Sequence, residues 1–344
     1  MEGDGVRVSF IPLASFVASV NLLLPPAAAS EHSITNGTTA LIIVGAAGEP
    51  EFGSNFVRQA VLWDSACQKA RCRALTIGVD SERETNDLER LKEALAAEPK
   101  EGPNELWLVM LGHGTFDGKE ARFNLRGPDV SANDLASWLH PFHRRLAVID
   151  TSSSSAPFLN KLSGTNRVII TATRSGNEHN FTRFGQYFAE AIADSAADLD
   201  KDGQVSLLEA FLMASRKTSE FYKLDGRIIT EHALLDDSGD GLGTPADWFQ
   251  GLRAVKRPKE NAPVDGLLAR QFYLIRSVAD QELSAEQRAK RDELERAVLQ
   301  LREKKQKIPE DEYYRELEKL LLELATLESM QARKDRNSAT SLHE

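Results

Sequence analysis

The sequence predicts an α/β fold, a mostly parallel sheet with helices on both faces, and three features predict it. Short runs that are apolar throughout, at 40–44 (ALIIV) and 106–111 (LWLVML), suit strands covered on both sides. Segments with helical spacing of apolar residues alternate with these runs, as in parallel strand-helix-strand units. The runs close on glycine or on hydroxyl residues, which sets polar groups at the edge where ligands gather in such sheets.

In order, the 40–44 strand leads into Gly45-Ala46-Ala47-Gly48-Glu49-Pro50, a turn that matches neither glycine-rich phosphate motif. Residues 55–69 carry Phe56, Ala60, Trp63 and Cys67 on one helical face, 74–79 read as a strand, and 87–97 form a helix with Leu88, Leu91 and Leu95 aligned. The 106–111 strand then delivers Gly112-His113-Gly114, and 121–125 reads as a short added strand. Ser131-Ala132-Asn133-Asp134 has the form of a capping box opening a helix to Leu139. Strands follow at 145–150 (RLAVID) and 167–173 (RVIITAT), the first ending in the serine run 152–155. One edge thereby holds a histidine and hydroxyls, the arrangement of a base beside a nucleophile. On the residues alone, His113 reads equally as a turn residue, and four serines fit a flexible polar turn.

This order of strand-Gly-His-Gly, strand with a serine-rich turn, and then VIITATRSGNE at 168–178 resembles the caspase and legumain clan of cysteine peptidases over about residues 40–245. The resemblance implies a caspase-like sheet with His113 as the dyad histidine and a nucleophile after the next strand. No cysteine follows His113. Aligned on Asp150 the nucleophile position falls on Ser152, and aligned on the spacing to Phe158 it falls on Ser153. A hydroxyl is a far weaker nucleophile than a thiol of pKa about 8.5 and needs a well-oriented base. The resemblance therefore implies a catalytically degenerate relative, with a hydrolase using His113 and Ser152 or Ser153 as the rival reading.

Residues 198–209 (DLDKDGQVSLLE) match an EF-hand calcium loop. Asp198, Asp200 and Asp202 offer hard oxygen ligands at positions one, three and five, and Gly203 permits the sharp turn. Gln204 would contribute its backbone carbonyl, Ser206 a direct or water-mediated contact, and Glu209 both carboxylate oxygens. Phe184, Phe188 and Ile192 before the loop, and Leu208, Phe211 and Leu212 after it, mark flanking helices. A second acidic turn sets Asp236, Ser238, Asp240 and Asp247 at positions one, three, five and twelve, a partial calcium loop or a plain Asp-Gly turn. Its place in the chain predicts an approach to the His113 edge, and His232 before it reads as a core or turn histidine.

The net charge of −10 and the lack of a basic tract argue against nucleic-acid binding. The apolar stretch 8–24, followed by Pro25-Pro26 and small residues, has the form of a signal peptide cleaved after Ala29, hence an exported protein with no membrane span after its removal. Cys67 and Cys72 read as one small disulfide or two free thiols, and Asn36 and Asn180 begin glycosylation sequons. The globular part spans 30–250. Residues 251–283, rich in proline and charge around 253–266, read as a linker. Ser284 and Gln287 then open a helical hairpin or coiled coil at 284–332. Its apolar seam runs through Leu294, Val298 and Leu301 and resumes at Tyr313, Leu317, Leu320, Leu324 and Leu327, a pattern that also suits self-association. Residues 333–344 read as a disordered tail. Calcium is the expected cofactor, and a protein or peptide the expected partner.

Overall fold

The computed structural model describes residues 37–80, 86–260 and 262–340, with side chains to 327. The signal-peptide reading, the Asn36 sequon and residues 341–344 lie outside it.

β1 (Thr39–Val44) leads through α1 (Pro50–Ala70) to β2 (Arg73–Ile77), and α2 (Asp87–Ala97) leads to β3 (Leu106–Leu111). A small antiparallel sheet follows, made of β4 (Gly114–Phe116), β5 (Ala121–Phe123) and β6 (Val130–Ser131). Next come α3 (Ala132–Leu139), β7 (Leu146–Asp150), α4 (Ala156–Leu162), β8 (Arg167–Thr171), α5 (Phe184–Ala191) and α6 (Leu207–Leu224). The chain closes through β9 (Leu234–Asp236), β10 (Thr244–Pro245), β11 (Phe249–Gln250), β12 (Arg253–Ala254), α7 (Val278–Glu282), α8 (Ala285–Lys304) and α9 (Glu310–Thr340).

The central sheet has the order β10-β9-β8-β7-β3-β1-β2. β2, β1, β3, β7 and β8 run parallel, while β9 and β10 are antiparallel additions. Alternate residues of each strand face opposite sides. Ile42, Val109 and Ile149 join Trp63 of α1, Phe188 of α5 and Phe211 of α6 in one core. Leu41, Leu108 and Val148 join Leu91 of α2, Leu135 of α3 and Leu159 of α4 in the other. Burial on both faces is why these strands are apolar throughout rather than alternating. The expected architecture is therefore present. The short added strand expected at 121–125 is β5, the middle strand of the small antiparallel sheet.

The linker expected at 251–283 is instead a strap built into the molecule. Ala269, Phe272 and Leu274 are fully buried or nearly so, and Phe272 packs on Trp107 at 6.1 Å between ring centroids. The Asp237 carboxylate accepts backbone N–H bonds from Gly266, Leu268 and Ala269 at 2.7–2.8 Å, and Asp265 accepts from the N–H groups of Asp237 and Ser238. Charged residues that read as solvated are thus the fasteners of the segment. Beyond the strap, Arg145 binds Glu105 and Asp292, and Arg276 binds Glu105 and Asp280. These pairs tie the C-terminal arm to the amino ends of β3 and β7. α8 and α9 pack on each other as a hairpin, and α9 continues to Thr340 through part of the expected tail. No helix among the described residues is long and apolar enough to cross a membrane.

Candidate functional site

Two places carry the residues singled out in the sequence, and they lie at opposite edges of the sheet. At the carboxyl edge, β3 and β7 are paired neighbours, so His113 and the serine turn are brought side by side. Gly114 explains how closely: a Cβ there would lie 2.3 Å from the Ser153 carbonyl oxygen. His113 is nonetheless turned into an aromatic box, with ring centroids 5.0 Å from Phe52, 5.1 Å from Phe56 and 6.3 Å from Phe181. Burial there pushes the imidazole below its ordinary pKa, partly offset by a hydrogen bond with the Ala47 backbone.

The serine run is not a flexible turn. Ser152, Ser153, Ser154 and Ser155 are all buried, and every hydroxyl has a partner, as buried polar groups require. Ser152 Oγ donates to Asp150 Oδ1 at 2.6 Å, and Ser153 Oγ donates to the Gly114 carbonyl at 3.0 Å while accepting from its N–H at 3.1 Å. Ser155 Oγ bonds Thr173 Oγ1 at 3.1 Å. No hydrogen bond joins His113 to Ser152 or Ser153 among the described residues. A Ser–His contact that the sequence reading missed does occur. Ser154, held at φ 56, lies 3.0 Å from His179 Nδ1, although its hydroxyl sits in a residue only 1% exposed. Burial raises the Asp150 carboxyl to about 7, with the Ser152 hydroxyl and N–H pulling it down, and Asp150 Oδ2 has no hydrogen-bond partner among the described residues. His232, half-buried, pairs with Glu178 at 2.6 Å.

The acidic loop 198–209 lies at the amino edge, between α5 and α6. Leu207 N–H bonds the Phe272 carbonyl at 2.9 Å, and the neighbouring Ser206 and Tyr273 form a β-bridge, so the strap pairs with the loop. Asp198, Asp200 and Asp202 each present a carboxylate oxygen within 4.8 Å of the others. Gly203, at φ 84, makes the turn and donates its N–H to Asp198 Oδ2 at 3.1 Å. Asp198 is 8% exposed, and its other oxygen, Oδ1, is buried with no hydrogen-bond partner among the described residues. Leaving a charged oxygen so is costly unless a cation faces it. Burial raises the Asp202 carboxyl above its ordinary range, and the charges of Asp200, Glu209 and Asp198 add to this. Arg270 of the strap compensates in part, binding Asp200 at 2.9 Å.

Two of the remaining predicted ligands, Ser206 and Glu209, are otherwise engaged. Glu209 Oε1 accepts the Leu199 and Asp200 N–H groups at 2.7 and 3.3 Å, and Oε2 accepts the Ser206 N–H and hydroxyl, both at 2.8 Å. Ser206 and Glu209 form the capping box of α6, because positions nine and twelve of a calcium loop have the same spacing as Ser-x-x-Glu. The Gln204 side chain accepts from the Ser277 N–H at 3.1 Å.

The second acidic turn differs from its reading. β9 runs antiparallel to β8, which carries Asp236 to the amino edge and away from His113. After Gly241 the chain returns as β10, pairing Thr244 with Leu235, so a hairpin stands where an outgoing helix was needed. Asp240 Oδ1 caps the Leu242 N–H at 2.8 Å, Ser238 Oγ reaches Asp236 at 3.4 Å, and Asp247 lies exposed beyond the hairpin. Asp236, Asp240 and Asp247 form no metal-ligating group of the kind seen at 198–202 among the described residues. Cys67 and Cys72 are free thiols, and the hydrogen bond that the Cys67 thiol donates to Cys72, together with burial, pushes the Cys67 pKa up.

No family model matches the chain, and no curated protein matches it. Solved structures with some likeness include the Drosophila initiator caspase Dronc, with a TM-score of 0.36 and 12% identity over 60% of this chain and 81% of that one. Caspase-1 from Spodoptera frugiperda aligns with a TM-score of 0.37 and 8% identity over 59% and 86% of the two chains. A protein from Geobacter sulfurreducens aligns at 0.34 and 13% over 52% and 89%. Likeness at this level carries no argument about activity.

Proposed function

We propose that this chain is a calcium-binding protein on a caspase-like or legumain-like scaffold whose peptidase chemistry has lapsed. The observation that carries the calcium half is Asp198 Oδ1, an unpartnered oxygen in a residue 8% exposed, grouped with the Asp200 and Asp202 carboxylates. Three hard oxygens fit Ca²⁺ better than a softer transition metal, since no histidine or cysteine joins them. Bound there, the cation would supply the positive charge that Asp202 and Asp198 lack, and Arg270 would yield Asp200. Glu209 would join only by giving up hydrogen bonds to the loop backbone. Export favours the same reading, because extracellular calcium is abundant enough to fill a weak loop.

The lapsed-peptidase half is supported by hydroxyls already spent. Ser152 serves Asp150 and Ser153 serves Gly114, while His113 sits among phenylalanines. Calorimetry with calcium chloride should give one saturable site that Asp198→Ala removes, and an unchanged titration refutes the ligand assignment. A peptide library and a serine-reactive phosphonate should give no turnover and no labelling. Turnover lost on both His113→Ala and Ser152→Ala would overturn the non-catalytic reading.

A further inference from the structure

Between the strap and α8 lies a cavity of about 700 Å³, within the range of small-molecule sites, whose lining reaches Asp237 and Ser238 of the second acidic turn and Arg270, the partner of Asp200. Its apolar lining comes from Leu252, Val264, Leu267 and Leu268 of the strap region and Leu299 of α8. Seven of its ten charged lining residues are basic, on a chain whose net charge is −10. Of the cations there, Arg253 and Arg257 share Glu303 at 2.9 Å each, and Arg270 is held by Asp200. Arg296, Arg302, Lys304 and Lys307 line the same cavity and form no ion pair with a carboxylate among the described residues, Arg296 Nε donating to the Asp292 backbone carbonyl at 3.2 Å. The two other carboxylates of the lining, Asp237 and Asp265, are buried and committed to backbone N–H groups.

The end of a helix favours cations, which accounts for Arg302 and Lys304 in the last turn of α8. It does not account for Arg296, a turn and a half earlier, or for Lys307 beyond the helix. An apolar floor under a rim of unneutralised cations is complementary to one kind of ligand. The geometry points to a binding site for an anionic amphiphile, an alkyl or acyl chain ending in a phosphate or carboxylate. The chain would lie on the leucines, and the head would meet Arg296 and Lys307, with guanidinium suited to forked contacts with either head group.

Calorimetry of the full chain with octyl phosphate and with octanoate, each below its micelle concentration, tests this. Saturable one-to-one binding of either anion is expected, with the preferred one identifying the head group. Octanol and inorganic phosphate should each bind at least tenfold more weakly, since each lacks one half of the complement. Arg296→Glu with Lys307→Glu should weaken the anion at least tenfold at an unchanged melting temperature. Leu299→Trp, which fills the floor, should do the same without altering charge. Equal binding of octanol, or binding indifferent to both variants, overturns the proposal. So does binding of a hexaglutamate peptide with none of either amphiphile, which would mark a site for acidic protein segments.

Discussion

The two acidic turns, 198–209 and 236–247, begin alike and end differently. Both open with acidic or hydroxyl residues at positions one, three and five and a glycine at six. Both keep a buried carboxylate oxygen without a hydrogen bond, Asp198 Oδ1 and Asp236 Oδ2. In the first, Ser206 and Glu209 start a helix, and its hydrogen bonds fold the loop around three converging carboxylates. In the second, Gly243-Thr244-Pro245 continues as a strand, and the Asp236 carboxylate sits beside the Ser163 hydroxyl instead. The residues after the glycine decide whether the residues before it converge. A motif's ligand positions are necessary for a cage, and the element that follows makes it one.

The sharpest way to break this contrast is calcium itself. Asp198→Ala should weaken binding at least a hundredfold, about 2.7 kcal/mol, whereas Asp236→Ala should leave the titration within about twofold. Equal losses would put a second cation in the hairpin. Without calcium the same contrast should appear in stability. Glu209→Ala removes a capping box and orphans N–H groups at both ends of the loop, a cost of about 2 kcal/mol by urea unfolding. Asp247→Ala, on an exposed side chain, should stay within roughly 0.5 kcal/mol.

The smallest effect separates the turns by proton rather than by metal. Burial first, then the charge of Asp237, raises the Asp265 carboxyl to about 7, and burial raises Asp237 to about 6 against the backbone donors that pull it down. A carboxyl raised in the fold binds protons that the unfolded chain has released, so its contribution is full below about pH 4 and is lost as pH rises through 6 to 7. Asp265→Asn should flatten that decline by about 1 kcal/mol in unfolding measured from pH 4 to 8. An unchanged slope would show that the pair does not govern it.

Much of this was legible in the residues. Strands buried on both faces announce themselves as unbroken apolar runs, and the Ser131 and Ser284 capping boxes mark helix starts that the structure reproduces. The strap was misread because proline and charge at 253–266 signal solvent, while the apolar run Phe272-Tyr273-Leu274-Ile275 beside them signals burial. The serine turn shows the opposite limit. Four small hydroxyls look alike in sequence, and only neighbours distant in the chain, such as Gly114, Thr173 and His179, make each one buried and distinct. The Ser154–His179 contact had no local signal at all.

Arg270 has a single guanidinium and two claims upon it. It pairs with Asp200 of the acidic loop, and it lines the basic cavity beside α8. Whatever draws Asp200 away releases a positive charge toward the cavity, and whatever anchors Arg270 in the cavity releases a carboxylate toward the loop. Were both ends of the strap to take a ligand, occupancy at one would be linked to occupancy at the other. Thermodynamic reciprocity requires the factor to be the same in both directions.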